Sequence, residues 1–107
     1  MINRCMRILV MFDLPVDTKE KRKQYTNFHK FLINDGYIMM QYSVYSRVTL
    51  NHDDMKKHIQ RLIRNLPKYG SVRVLELTEK QYNSMKILVG EKTAKENYLV
   101  PKDIIEI

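Results

Sequence analysis

The 107-residue sequence has little of what marks several familiar classes of protein. It holds one cysteine, Cys5, so an intramolecular disulfide is impossible and a cysteine-rich zinc site is excluded. It has three glycines and three prolines, and neither a Gly-rich phosphate-binding loop nor a low-complexity linker occurs. No apolar run approaches the roughly 20 residues that span a bilayer. We therefore predict a small globular protein of the cytoplasm that makes no membrane contact.

The charge of the chain is strongly unbalanced toward the basic side. Nineteen lysines and arginines against twelve acidic residues give a formal net charge of +7 and a pI near 9.6. Hydrophobic residues make up 44% of the chain, which is an ordinary value for a globular protein. A basic globular domain favours a polyanionic partner such as nucleic acid. On charge alone, a basic protein without such a partner is the alternative.

The sequence shows no arrangement of side chains typical of a nucleophilic or paired-carboxylate enzyme. The three histidines, His29, His52 and His58, lack metal-ligand spacing and are interpreted as solvated or half-buried imidazoles. Asp13 is notable because it ends the unbroken apolar run 8–12. One interpretation is a turn residue that leads into a helix. The other is a carboxylate at the rim of a sheet, forming half of a Mg²⁺ site that two copies share.

Hydrophobic periodicity predicts the element order β-α-β-β-α-β with a C-terminal extension, which is the ferredoxin-like α+β pattern. The predicted segments are a strand at 4–13, a helix at 17–35 that Gly36 ends, two strands within 37–49 that break near 42–43, a helix at 51–67, a strand at 71–77, a turn or short helix at 79–85 and a short strand at 86–89. Both helices cover one sheet face in this fold. Because the first strand is apolar on both sides, we expect a second copy to cover the other face.

Both predicted helices carry a basic stripe opposite an apolar one. In the second helix the predicted buried stripe consists of Met55, Ile59, Leu62, Ile63 and Leu66. A run of charges is usually a solvated face, but stripes on two separate helices can follow the phosphates of a nucleic acid. The residues predicted to bind nucleic acid are Lys19, Arg22, Lys23, Lys57, Arg61, Arg64 and Lys68.

Three segments resemble the CRISPR-associated protein 2 family, the small subunit of the spacer-acquisition complex. They are VMFDLP at 10–15, GYIMMQYSVYSR at 36–47 and GSVRVLELTEKQY at 70–82. The resemblance covers roughly residues 6 to 92 and looks closest to versions from systems with a single-protein effector nuclease.

This resemblance implies a ferredoxin-like domain over 1–92 that forms a sheet-to-sheet homodimer, with a strand at 85–90 extending the partner's sheet. The tail, 93–107, is predicted to dock on a partner. By the resemblance, Asp13 matches the strand-one aspartate that binds Mg²⁺ at the dimer interface, and is the predicted catalytic residue. Arg22 matches an arginine early in the first helix.

The resemblance also implies two roles for the protein. Family members are assigned metal-dependent endonuclease activity on single-stranded RNA or duplex DNA. They also bridge two dimers of the CRISPR integrase, protein 1 of the same system, and hold pre-spacer DNA for insertion. We favour the adaptor role because each chain would contribute one carboxylate, Asp13, to a catalytic site. In addition, Phe12 stands where some relatives have a tyrosine, and no arginine closely follows Gly36. The alternative is a ribonuclease toxin of the virulence-associated protein D type, without a CRISPR role.

Overall fold

The computed structural model describes residues 5–93 and 95–96, and the four strands form one antiparallel sheet in the order β2-β3-β1-β4. The elements are β1 (Met6–Asp13), α1 (Lys19–Asn34), β2 (Ile38–Gln41), β3 (Val44–Thr49), α2 (His52–Arg64), β4 (Ser71–Thr78) and α3 (Glu79–Asn83). The predicted β-α-β-β-α-β order is confirmed, and the residues predicted as a turn or short helix form α3. Among the described residues, no helix has both the length and the apolar character to cross a membrane.

Local sequence explains where the helices and the hairpin begin and end. The Thr18 hydroxyl accepts the N–H of Lys21 at 3.1 Å and caps α1, while Gly36 follows that helix with φ 91°. The Asn51 side chain accepts a backbone N–H of the first turn of α2 at 2.8 Å. The predicted break between the second and third strands is confirmed at Ser43, where φ is 63°.

The core lies between the two long helices and one face of the sheet. Side chains alternate along a strand, so the even-numbered residues of β1 point toward the helices. The Phe12 ring is central to this layer, because it stacks on Tyr45 with the ring centroids 5.5 Å apart. The buried core consists of Ile8, Val10, Phe12, Phe28, Leu32, Tyr37, Tyr45, Met55 and Leu62.

The predicted buried stripe of α2 is correct at its start and wrong at its end. Met55 and Leu62 are each 1% exposed, whereas Ile63 is 60% and Leu66 46% exposed. Successive residues of a helix differ by about 100°, so Ile63 is rotated away from the line that faces the sheet. His58, only 4% exposed, lies on the buried line instead. The periodicity identified the face of α2 that packs on the sheet, but the buried face that it predicted is wider than the one in the structure.

The opposite face of the sheet is partly covered by the chain itself. Arg7, Leu9, Met11 and Asp13 of β1 point to this side, which we call the open face. Arg7 is 2% exposed because α3 packs over it, whereas Leu75 of β4, directly opposite Leu9 in the strand register, is 48% exposed. Part of the cover that the sequence led us to assign to a second copy is therefore supplied by α3.

The strand predicted near residues 85–90 is not present in the single chain. These residues belong to no strand, and Leu88 and Val89 are 89% and 95% exposed. A strand exists only where it pairs with a neighbouring edge, and within the described chain this segment pairs with none. The predicted tail lies mostly outside the described residues, at 94 and 97–107.

A buried ion pair attaches α3 to the sheet. The Arg7 guanidinium donates to both carboxylate oxygens of Glu79, at 2.7 and 2.9 Å, and also lies 4.1 Å from the centroid of the Tyr82 ring. The Tyr82 hydroxyl in turn donates to Glu96 at 2.8 Å. Arg7 and Glu79 are 72 residues apart in the chain. Their contact therefore joins distant parts of the sequence and holds the segment after β4 on the open face.

We expect Glu79→Gln to lower the free energy of unfolding by about 3–5 kcal/mol, because it leaves the Arg7 charge buried without its partner. The matched control is Glu76→Gln on the exposed surface of β4, which should change that energy by less than about 0.5 kcal/mol. Urea denaturation measures both. Equal stabilities of the two variants would contradict the structural role of the pair.

Candidate nucleic-acid interface

Asp13 is the last residue of β1, and its exposed side chain lies on the open face. A turn-forming aspartate normally accepts a nearby backbone N–H. Within the described residues, no hydrogen bond or ion pair engages the Asp13 carboxylate, and Thr18 caps the following helix. The contacts of the chain therefore favour the second interpretation, a carboxylate available to a ligand.

Gly70 fixes the backbone at Asp13. Gly70 adopts φ 89°, and a Cβ atom added to it would lie 2.5 Å from the Asp13 carbonyl oxygen and 2.8 Å from Leu14 Cδ2. A side chain at this position would push the end of β1 away from the start of β4. Gly70 thus positions the carboxylate, a role that sequence reasoning missed because it depends on a contact between residues that are distant in the chain.

The described part of the chain does not complete a metal site at Asp13. Among residues 5–93 and 95–96, no group of three His, Cys, Asp or Glu side chains gathers to hold a metal ion. The exposed carboxylate does suit Mg²⁺, which prefers oxygen ligands and keeps several waters when substrate phosphates complete its coordination. Further ligands of such an ion would have to come from outside the described residues of this chain.

The first turns of α1 supply three of the predicted binding residues. Lys19, Arg22 and Lys23 are all exposed, and α1 begins six residues after Asp13. The Arg22 side chain donates to the Val16 carbonyl at 3.0 Å, which holds it against the loop between β1 and α1. These cations therefore lie at the end of the molecule that carries Asp13.

The segment after α2 joins this basic surface. The backbone N–H of Lys68 donates to the Gln24 side chain of α1 at 3.1 Å, and the Lys21 ammonium lies 5.6 Å from the Tyr69 ring centroid. The next residue, Gly70, packs on Asp13, so this segment connects α1 with the carboxylate. We call the exposed cations gathered here the basic end; they are Lys19, Arg22, Lys23, Arg64 and Lys68.

The structure gives the other two predicted binding residues partners within the protein. The Lys57 ammonium lies 3.2 Å from the Asp54 carboxylate one turn earlier in α2. The Arg61 guanidinium, although 47% exposed, lies 2.6 Å from the carboxylate of Asp35, which is 3% exposed. Their charge is therefore partly neutralised, unlike that of the basic end.

Asp35 is the centre of a buried polar cluster between the end of α1 and α2. His58 Nδ1 lies 3.0 Å from the Asp35 carboxylate, and His58 Nε2 lies 3.4 Å from Asp54. Burial alone would raise the pKa of Asp54, but the backbone N–H of Leu50 and the charges of Lys57 and His58 together lower it. The spacing of residues 54, 58 and 61 along one line of α2 was the available signal for this cluster.

These features define the class of protein as a small, basic α+β protein with a carboxylate at the rim of an open sheet face. The chain belongs to the CRISPR associated protein Cas2 family, whose model matches residues 6–85, and this confirms the predicted resemblance.

Individual relatives agree with this assignment. The chain is 60% identical over 85 residues to a protein of Acidovorax ebreus (strain TPSY) named "CRISPR-associated endoribonuclease Cas2", across 79% of this chain and 83% of the relative. A protein of the same name from Ligilactobacillus salivarius (strain UCC118) is 52% identical, across 81% and 86% of the two chains. A solved structure described as "Crystal structure of cas2" is similar with a TM-score of 0.57 and 22% identity, covering 84% of this chain and 92% of that chain. That last likeness shows the shared fold.

The cluster around Asp35 predicts different roles for two arginines of α2. We expect Arg61→Ala to lower the free energy of unfolding by about 1–2 kcal/mol, a value reduced for the partial exposure of Arg61. Arg64→Ala removes the same charge three residues later, and should change stability by less than about 0.5 kcal/mol. Urea denaturation of the two variants distinguishes these roles, and a stable Arg61→Ala protein would show that the ion pair is dispensable.

Proposed function

We propose that this protein acts in CRISPR spacer acquisition, where it binds pre-spacer DNA and bridges integrase dimers, and that two copies of Asp13 form a Mg²⁺-dependent endonuclease site. The observation that carries the proposal is the position of Asp13. Its carboxylate is exposed, lies on the open face and is held by Gly70 beside the basic end. The names of the relatives favour a CRISPR role over the toxin alternative.

The basic end supports the binding step. Its five cations are exposed: four lie on α1 and α2, and the fifth, Lys68, lies on the segment after α2, which donates a backbone N–H to Gln24 of α1. Cations that follow a phosphate backbone release counterions, which gives strong binding with little dependence on sequence. Such a surface suits a protein that must hold DNA of any sequence.

The open face supports association with a second copy. Leu75 is 48% exposed in the middle of this face, and the segment with Leu88 and Val89 leaves apolar side chains in solvent. A second copy packed on the same face would bury these residues, and a two-fold axis near β1 would bring the two Asp13 carboxylates toward each other. The segment 85–90 would then gain a strand edge from the partner.

The proposed chemistry divides between the carboxylates and the cations. Mg²⁺ bound there supplies a Lewis acid for the phosphoryl oxygen and an activated water. The two Asp13 side chains would hold this ion. The basic end holds the phosphates on either side of the scissile bond, so the backbone presents that bond to the carboxylates. The word endoribonuclease in the relatives' names makes single-stranded RNA the first substrate to test, with duplex DNA second.

We expect Asp13→Asn to reduce Mg²⁺-dependent cleavage of single-stranded RNA or duplex DNA at least 100-fold, because a neutral amide binds the cation poorly. In the same variant, spacer integration with the integrase should persist, since bridging needs no hydrolysis. Gel assays of cleavage and integration measure both. Loss of integration with retained cleavage would contradict the division of roles, and a wild-type protein that cleaves neither substrate would refute the endonuclease proposal.

We expect the double charge reversal Lys23→Glu with Lys68→Glu to weaken DNA binding at least tenfold at low salt. The slope of log affinity against log salt concentration should fall by about two, one for each lost phosphate contact. The matched control reverses Lys80 and Lys86, two exposed lysines outside the basic end. Fluorescence anisotropy over a salt series measures all three proteins. The same loss in both double variants would indicate that net charge, rather than the basic end, governs binding.

A further inference from the structure

The turn between β2 and β3 presents an aromatic side chain that the proposed function does not use. Tyr42 is 69% exposed, whereas Tyr45, three residues later, is fully buried. The left-handed backbone of Ser43 forms the turn, and the Ser43 carbonyl accepts the N–H of Phe12 at 3.1 Å. The tip of the hairpin is therefore held against the residue that precedes Asp13, at the end of the molecule with the carboxylate.

The orientation of the Tyr42 ring is set by Tyr25 of α1. The two ring centroids are 6.5 Å apart, with 32° between the planes. Burial and a hydrogen bond with the Tyr42 hydroxyl raise the pKa of Tyr25 to about 12. Behind Tyr25 lies the buried Phe12 ring, at 6.2 Å. Tyr42 is thus supported on its inner side by an aromatic cluster, and its high exposure leaves the outer side to solvent.

A cation lies on the same side of α1 as Tyr42. Arg22, Tyr25 and His29 are spaced i, i+3 and i+7, so they follow one line along the helix. This line faces the hairpin, because Tyr25 contacts Tyr42 and His29 Nδ1 lies 2.6 Å from the Tyr45 hydroxyl. Lys21 and Gln24 contact the segment after α2, on the other side of the helix. Arg22 is the member of the basic end that faces the hairpin.

We infer that Tyr42 is a stacking platform for an unpaired nucleobase of the strand whose phosphate Arg22 binds. An exposed ring of fixed orientation loses little conformational freedom when a base stacks on it, and every base offers a flat aromatic face. Inside a duplex both faces of a base are already stacked, so the platform serves single strands and frayed ends. The inference rests on the proposed function and adds to it a preference for unpaired nucleotides beside Asp13.

The experiment compares Tyr42→Leu, which keeps an apolar side chain but no aromatic ring, with Tyr42→Phe, which keeps the ring. The probes are a single-stranded oligonucleotide of about 15 residues containing 2-aminopurine and the blunt duplex of the same sequence. We expect Tyr42→Leu to bind the single strand about tenfold more weakly and to lose the change in 2-aminopurine fluorescence seen with wild type. Tyr42→Phe should stay within about twofold of wild type. All three proteins should bind the blunt duplex equally within about twofold.

The remaining outcomes overturn the inference in distinguishable ways. If the wild-type protein binds neither probe, the proposed function fails and the inference fails with it. If wild-type binding depends on the basic end but Tyr42→Leu binds the single strand as well as wild type, the stacking platform alone is refuted. If Tyr42→Leu changes the oligomeric state by sedimentation and leaves single-strand binding unchanged, Tyr42 is an interface residue. Equal melting temperatures of the variants and wild type, expected for so exposed a position, show that binding and not folding has changed.

Discussion

β1 hydrogen-bonds to a neighbouring strand along both of its edges, to β3 on one side and to β4 on the other. A strand in this position must also bury both of its faces, because its apolar side chains alternate between them. The helices cover one face, and α3 covers the Arg7 end of the other. This arrangement explains why Asp13 is exposed. It is the first exposed residue of β1, and it lies where the apolar cover ends.

The cations of the protein divide into those that have partners within the protein and those exposed at the Asp13 end of the sheet. Some cations are used for stability, as the buried contact of Arg7 with Glu79 and the half-exposed contact of Arg61 with Asp35 show. The cations of the basic end remain exposed and lie close to the carboxylate. A net charge of +7 therefore predicts the class of partner, whereas the contacts of individual side chains indicate which cations would be available to such a partner.

The order of elements could be predicted because periodicity, caps and turn residues are local signals: Ser43 separates two strands where the pattern placed a break, and Asn51 caps α2 at the predicted start of that helix. Contacts between distant residues left no such signal. Nothing in the pattern around Arg7 indicates a partner 72 residues away, and nothing around Gly70 indicates its contact with the Asp13 backbone. The short strand predicted at 86–89 is absent from the single chain because pairing depends on an edge that local sequence does not describe, while the addition of 85–90 to a partner's sheet stays a prediction.

The central claim is that Asp13 acts as one half of a site shared by two copies. Its most direct test is subunit mixing, in which wild type and Asp13→Asn are denatured together, refolded at several ratios and assayed for Mg²⁺-dependent cleavage. If both carboxylates are needed, activity will follow the square of the wild-type fraction, because only dimers of two wild-type chains are active. Activity proportional to the wild-type fraction would contradict the account, since each chain would then carry a complete site of its own.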